Sequence, residues 1–299
     1  MPDVTNIIPD YTTYPKRFKT YKWYKPFLVG ILTGIFYFMG TLVNTLIVFI
    51  IEMINGTGQS VFTSLLKGYD GFDVYTAPGV IASEGSVAWM LIALILAVNI
   101  VKDRPFNSYT SSSGKGWSWG VFFKCFFPAL VICGLPIAAD TILIDGRVGD
   151  VRFTLAGLIL LTILGPLQCV AEEYIFRGLV MQTFGSWFKV PIVAIVLQTV
   201  VFASLHPYNF VGVLEIYTAG IGLGIIAWLA KGLEASCAYH IVNNMTIFYL
   251  TGFGFGEISS QVTWRDFFLT FASYVIYIIV MDKLARKGKL RKSGYSPQP

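Results

Sequence analysis

The sequence predicts an all-α fold, a polytopic bundle of about eight transmembrane helices with both termini in the cytoplasm. Of its 299 residues, 55% are hydrophobic and only 13% are charged, and the mean hydropathy is +0.65. A soluble domain is usually about one quarter charged. The chain also divides into apolar runs that can each cross a bilayer, which takes about 20 residues per helix. We therefore expect a multi-pass protein of the cell membrane.

Eight apolar runs define the predicted helices. They lie at about 27–51, 86–101, 118–139, 153–175, 190–206, 210–230, 235–252 and 267–281. The second, fifth and eighth runs are the shortest. Together the runs form a membrane domain over residues 27–282, between a cytoplasmic N-terminal segment, 1–26, and a basic cytoplasmic tail, 283–299.

The connections between the runs carry polar and turn-forming residues. Residues 52–85 are predicted to form an external loop, with or without an interfacial helix, and residues 102–116 are net positive and suit the cytoplasm. Residues 178–189 interrupt the apolar pattern, so we expect an amphipathic connector or a re-entrant segment there. Two glycine pairs have the spacing for close helix approach, although packing alone explains it. They are Gly30 with Gly34, and Gly220 with Gly224.

Basic residues set the predicted orientation. Half of the 22 Lys and Arg residues flank the membrane domain, and such clusters tend to lie in the cytoplasm. With both ends inside, the number of crossings is even. A solvated basic tail without topological meaning is the alternative. The flanking residues are Lys16, Arg17, Lys19, Lys22 and Lys25 before the first run, and Lys283, Arg286, Lys287, Lys289, Arg291 and Lys292 after the last.

An acidic motif lies at the end of the fourth run, in a bilayer region where ionisable groups are costly unless they are paired or hydrated. Glu173 and Arg177 are four residues apart, with the acid first, which is the favoured order for a helical ion pair. Glu172 points about 100° away and remains an unpaired carboxylate, which suits a general base that activates water. Alternatively, all three residues form a solvated cluster at the cytoplasmic interface.

The chain has two histidines, and each shares a helix face with a partner four residues away. His206 follows Phe202, while His240 precedes Asn244. An imidazole and an amide on one face can donate hydrogen bonds to an oxyanion. A polar clasp between helices, or a hydrogen-bonded residue at a helix end, explains either histidine alone. Because both occur together with an unpaired acid, they indicate one active site.

Taken in order within hydrophobic helices, these motifs resemble the CPBP family. This is the Abi group, which includes the type II CAAX prenyl endopeptidases and bacteriocin-processing proteins, and the resemblance covers roughly residues 150–255. It is carried by three motifs, Glu172-Glu173-x-x-x-Arg177, Phe202-x-x-x-His206 and His240-x-x-x-Asn244.

The resemblance implies a role for each motif residue. Glu172 would activate the water that attacks the scissile carbonyl, with the help of His206, and His240 and Asn244 would stabilise the oxyanion. Three residues would support the site, namely Glu173, Arg177 and Phe202. The resemblance implies no metal or other cofactor, but two histidines and a glutamate are a set that can bind zinc. The zinc protease motif His-Glu-x-x-His does not occur in the sequence.

The expected function is that of an intramembrane endopeptidase, which hydrolyses a peptide bond in a membrane-associated or small peptide substrate. Its partners would be that peptide or protein substrate and the lipid bilayer, and not a nucleic acid, since the basic charge is not spread over one face. The alternative is a non-catalytic membrane scaffold that regulates a partner membrane protein.

One conflict concerns depth in the membrane. Simple alternating helices place Glu172 near the inner end of the fourth span and His206 near the outer end of the fifth. The two would then lie about 25 Å apart across a hydrocarbon core about 30 Å thick. Either the fourth helix is longer and tilted, which puts Glu172 deeper, or residues 178–189 re-enter the membrane.

Overall fold

The computed structural model describes residues 8–56, 73–259 and 261–291. Within these ranges the protein has eight helices of at least 13 residues and no β-strand. The predicted helical bundle is confirmed, and each predicted helix has its counterpart. The helices are α1 (Lys25–Ile54), α2 (Ala77–Val101), α3 (Trp119–Asp145), α4 (Leu155–Phe188), α5 (Pro191–Ala203), α6 (Phe210–Ala230), α7 (Glu234–Gly252) and α8 (Trp264–Arg286).

Six of these helices, counted within the described ranges, are long and apolar enough to cross a membrane. The other two are α5 and α7. With 13 residues, α5 is about 20 Å long, which is less than the hydrocarbon thickness of about 30 Å. Helix α7 has 19 residues, but polar side chains such as His240, Asn243 and Asn244 interrupt its apolar character. The short α5 ends just before His206, and the polar α7 carries His240 and Asn244.

Helix α4 is longer than the sequence predicted. It has 34 residues, or about 50 Å. Its turns from Tyr174 to Met181 are π-helical, a rare form that is often found at functional sites. The predicted connector or re-entrant segment at 178–189 is therefore wrong, because the helix continues to Phe188. Most side chains of this extension are buried by protein, so its glycines and polar residues do not mark a loop.

The extra length of α4 removes the conflict in depth. Glu172 precedes Phe188, the last residue of α4, by 16 residues, or about 24 Å. His206 lies just beyond the 13 residues of α5, which place it about 20 Å from the turn between α4 and α5. The two residues therefore lie at similar heights, as the longer fourth helix requires.

Helix α2 begins nine residues before its predicted start. The side chain of Thr76 caps the helix by accepting a hydrogen bond from the backbone N–H of Gly79. The expected external loop is thus wrong for residues 77–85, and its central part, 57–72, lies outside the described residues. Glu84, expected in that loop, is buried in α2 instead.

The two ends of the described chain meet at one end of the bundle. Asp10, before α1, lies 3.4 Å from the Lys231 ammonium group. Arg291, after α8, forms a buried ion pair with Glu234 and donates a hydrogen bond to the Ala230 carbonyl at 3.0 Å. Both ends therefore lie beside the turn from α6 to α7, as an even number of crossings requires. That this end faces the cytoplasm stays a prediction.

Helix packing uses one of the two glycine pairs. Added Cβ atoms at Gly220 and Gly224 would lie within 3.0 Å of side chains of α5. These glycines therefore let α5 and α6 approach closely. Added Cβ atoms at Gly30 and Gly34 would meet no described atom within 4 Å, so this pair makes no close contact in the described chain.

Candidate active site

Glu173 and Arg177 form a buried ion pair on α4. The distance from Arg177 Nη1 to Glu173 Oε1 is 2.9 Å, and neither side chain is exposed. Arg177 Nη2 also donates to the Gly220 carbonyl on α6 at 3.4 Å. The predicted pair is present, and full burial excludes the solvated-cluster alternative for these two residues. Breaking such a pair leaves a buried charge, and the bond from Arg177 to Gly220 joins α4 to α6.

His240, on α7, lies between the two glutamates. Its Nδ1 is 3.0 Å from Glu173 Oε1, and its Nε2 is 3.5 Å from Glu172 Oε2. Because the ionised Glu173 only accepts hydrogen bonds, the ring carries a proton on Nδ1. Nε2 then accepts in the neutral ring and donates in the charged ring. The side chain of Glu172 is 12% exposed and that of His240 is 8% exposed, so neither is completely enclosed by protein.

Asn244 completes this group one turn along α7. Its Nδ2 lies 3.4 Å from His240 Nε2. Its Oδ1 accepts a hydrogen bond from Asn243 Nδ2 at 3.1 Å, which turns the amide NH₂ group toward His240. Sequence reasoning missed Asn243, because a second asparagine beside a motif residue forms no helical pattern. The structure thus brings together Glu172, Glu173, His240 and Asn244.

Phe202 and His206 hold the end of α5 against the acidic motif. The Phe202 ring packs edge-on against Phe176 of α4, with centroids 4.9 Å apart, and the Arg177 guanidinium lies 4.8 Å from its centre. His206 Nδ1 lies 2.8 Å from the Phe202 carbonyl. That carbonyl only accepts, so Nδ1 donates and Nε2 remains available. Within the described chain, no hydrogen bond or ion pair joins His206 to Glu172.

Tyr208 packs against His206. Its ring stacks on that of His206, with centroids 6.2 Å apart. Partial burial raises the pKa of Tyr208, and the negative charges of Glu215 and Glu172 add to this effect. Tyr208 thus contacts His206 through its ring, and the charge of Glu172 acts on its hydroxyl. Sequence reasoning missed Tyr208, which follows Pro207 and has no helical spacing to any motif.

An apolar cleft of about 460 Å³ lies on another face of the same helices. Its walls come from α3, α4 and α7 and include Val170, Ile241 and Met245. At about 100° per residue, His240 and Asn244 point away from the face of α7 that lines the cleft. The cleft is therefore separate from the candidate catalytic groups.

The described residues contain no group of three or more His, Cys, Asp or Glu side chains arranged to hold a metal ion. The set considered for zinc was Glu172, His206 and His240. Of these, Glu172 and His240 are in contact, whereas within the described chain no hydrogen bond or ion pair joins His206 to either of them.

Comparison with known proteins finds a family match for one region of the chain. Residues 153–246 match the family described as type II CAAX prenyl endopeptidase Rce1-like. The match runs from the start of α4 into α7 and includes every predicted site residue. No curated protein and no solved structure matches the chain. Together with the apolar helices, the match supports a multi-pass membrane protein and a protease acting on peptides or proteins. Over residues 153–246 the chain is therefore similar to the CPBP, or CAAX protease, family.

Proposed function

We propose that the protein is an intramembrane endopeptidase in which Glu172 activates the water that hydrolyses a peptide bond. The observation that carries this proposal is the chain of contacts from Arg177 to Glu173, His240 and Glu172. Arginine neutralises the buried Glu173. Glu172 has no arginine or lysine partner among the described residues, and it is not completely enclosed by protein. A carboxylate in that position can accept a proton from water.

The reaction would proceed by direct attack of water. Glu172 takes one proton as the water oxygen bonds to the scissile carbonyl carbon. The carbonyl oxygen becomes an oxyanion, which accepts hydrogen bonds from His240 and Asn244. When the carbon–nitrogen bond breaks, Glu172 returns the proton to the leaving amine. His206 would hold the water through its free Nε2.

Glu173 would make His240 an effective donor. A carboxylate that accepts from Nδ1–H fixes the ring orientation and stabilises the charged imidazolium. In the imidazolium, Nε2 also carries a proton and can donate to the oxyanion. Glu173 is itself held by Arg177, so the orientation of His240 depends on residues that never touch the substrate.

The family description, which names prenyl CAAX endopeptidases, supports one substrate class as the first to test. A lipidated peptide with a C-terminal Cys-a-a-X sequence is therefore the first candidate. A farnesylated peptide of this kind and the same peptide without its lipid would test the class. Cleavage of both would favour a broader range of membrane-associated peptides.

The test of the proposed function uses cells with the wild-type protein or with E172Q at equal abundance. Quantitative mass spectrometry of peptide termini in their membranes should find termini that the wild type produces and E172Q does not. E215Q is the matched control, because Glu215 is also an acid in an apolar helix but bonds to Thr270. We expect wild-type termini from E215Q.

A different result would favour the scaffold. If membranes with E172Q contain the same termini as wild-type membranes, Glu172 is not the base. If E172Q also restores every phenotype of a deletion strain, the protein acts without catalysis, because a scaffold does not need an ionised Glu172.

A further inference from the structure

Helix α3 lies before the region that matches the family, and one of its turns packs closely on α7 beside the candidate site. This turn, Leu130–Gly134, is π-helical and carries the fully buried Cys133. An added Cβ atom at Gly134 would lie 3.1 Å from the side chain of Val242 on α7. Turns of this kind often occur at functional sites, and the close packing brings the thiol of Cys133 to Asn243.

The Cys133 thiol begins a series of hydrogen bonds that leads to His240. Its Sγ donates to Oδ1 of Asn243 at 3.6 Å. Nδ2 of Asn243 donates to Oδ1 of Asn244 at 3.1 Å, and Nδ2 of Asn244 lies 3.4 Å from Nε2 of His240. The series therefore connects α3 to the two side chains that are proposed to contact the oxyanion.

The thiol gives this series its direction. The oxygen and the NH₂ group of an asparagine have nearly the same shape, so packing alone does not decide which of them faces a neighbour. A thiol has one proton to donate and its sulfur accepts only weakly, so it pairs with the oxygen of Asn243. The NH₂ group of Asn243 is then left to face Asn244, where it meets the oxygen. Cys133 thus sets which end of the Asn244 amide faces His240.

We propose that Cys133 and Asn243 are positioning residues, which aim the NH₂ group of Asn244 at the oxyanion of the reacting peptide. This inference rests on the proposed function, in which Asn244 donates to that oxyanion. The NH₂ group has two protons. One faces His240, which leaves the second to donate to the oxyanion. Donors that are already oriented need no rearrangement during the reaction, and this is the source of their large effect on rate.

Infrared spectroscopy of the S–H stretching band tests the contact without any substrate. The protein is placed in phosphatidylcholine vesicles, and the band of Cys133 is identified as the one that C133A removes. A hydrogen bond weakens the S–H bond, so N243A should shift this band to higher frequency. Cys125 is the matched control, because it is also a fully buried cysteine of α3. Its band, identified by C125A, should not shift in N243A. An unshifted Cys133 band would overturn the proposal.

Cleavage kinetics test the positioning role. N243A and C133A should each lower kcat by about 2- to 10-fold, the effect of one hydrogen bond, and leave KM unchanged. C133S retains a proton donor and should retain the wild-type kcat. C125A removes an equally buried sulfur from the same helix and should change neither constant.

Equal losses of kcat in C133A and C133S would overturn the proposal, because packing and not hydrogen bonding would then explain them. A wild-type kcat in both N243A and C133A would also overturn it. If the wild-type protein cleaves no peptide, the proposed function fails, while the infrared band still decides whether Cys133 orients Asn243.

Discussion

Two ion pairs of this chain share a helical spacing and differ in burial. Arg177 and Glu173 are 2.9 Å apart with both side chains unexposed, while Arg286 and Asp282 are 2.7 Å apart with exposures of 79% and 32%. The variant R177A leaves Glu173 as a buried charge without its arginine, which should cost about 3–5 kcal/mol. R286A removes a solvated pair and should cost about 0.5 kcal/mol.

The assay is the free energy of unfolding in mixed micelles of a mild detergent and sodium dodecyl sulfate, followed by tryptophan fluorescence. The double variant E173Q/R177A should recover part of the loss, since the uncompensated charge is gone. Recovery should be incomplete because His240 loses its carboxylate partner. Equal losses for R177A and R286A would refute the buried ion pair and the orientation of His240 that depends on it.

Two further predictions concern the N-terminal segment. Burial alone would raise the pKa of Asp10, but hydrogen bonds from Thr12 and Trp228 and the Lys231 charge outweigh it and lower the pKa below 3.8. This segment should therefore stay docked at neutral pH, and its docking should weaken only as the pH falls below about 4. Hydrogen exchange of its backbone amides, followed against pH, should show this step in the wild type and not in D10N. G185A should lower the melting temperature, since a Cβ there would lie 2.4 Å from the Thr12 carbonyl oxygen, whereas G34A, whose Cβ meets no described atom within 4 Å, should not lower it.

The helices were predictable wherever one side of a helix faces lipid, because lipid contact requires an apolar run of fixed length. The prediction of helix bounds was wrong where a helix is surrounded by other parts of the protein and not by lipid. The end of α4 is covered by other segments, so polar residues such as Gln182 and Ser186 are buried there. The start of α2 was predicted to be a loop because it contains the acidic residue Glu84, which is in fact buried.

The sequence predicted which residues of the candidate site pair within one helix, but not which residues meet between helices. Spacing of four residues identified the partners of Arg177 and His240, since a helix repeats nearly every four residues. Which glutamate His240 meets depends on how α7 packs along α4, and no local pattern encodes that. Tyr208 was missed because it contacts His206 from the turn after α5, and Asn243 was missed because a chain neighbour of a motif residue forms no helical pattern.

The most direct test of the central claim measures cleavage and stability in the same preparations of purified wild-type protein and E172Q. The substrate is the farnesylated Cys-a-a-X peptide, or a peptide whose cleavage the cellular experiment identifies. Loss of a general base should slow cleavage by about 10²- to 10⁴-fold, with an unchanged melting temperature. Cleavage by E172Q at the wild-type rate would contradict the account.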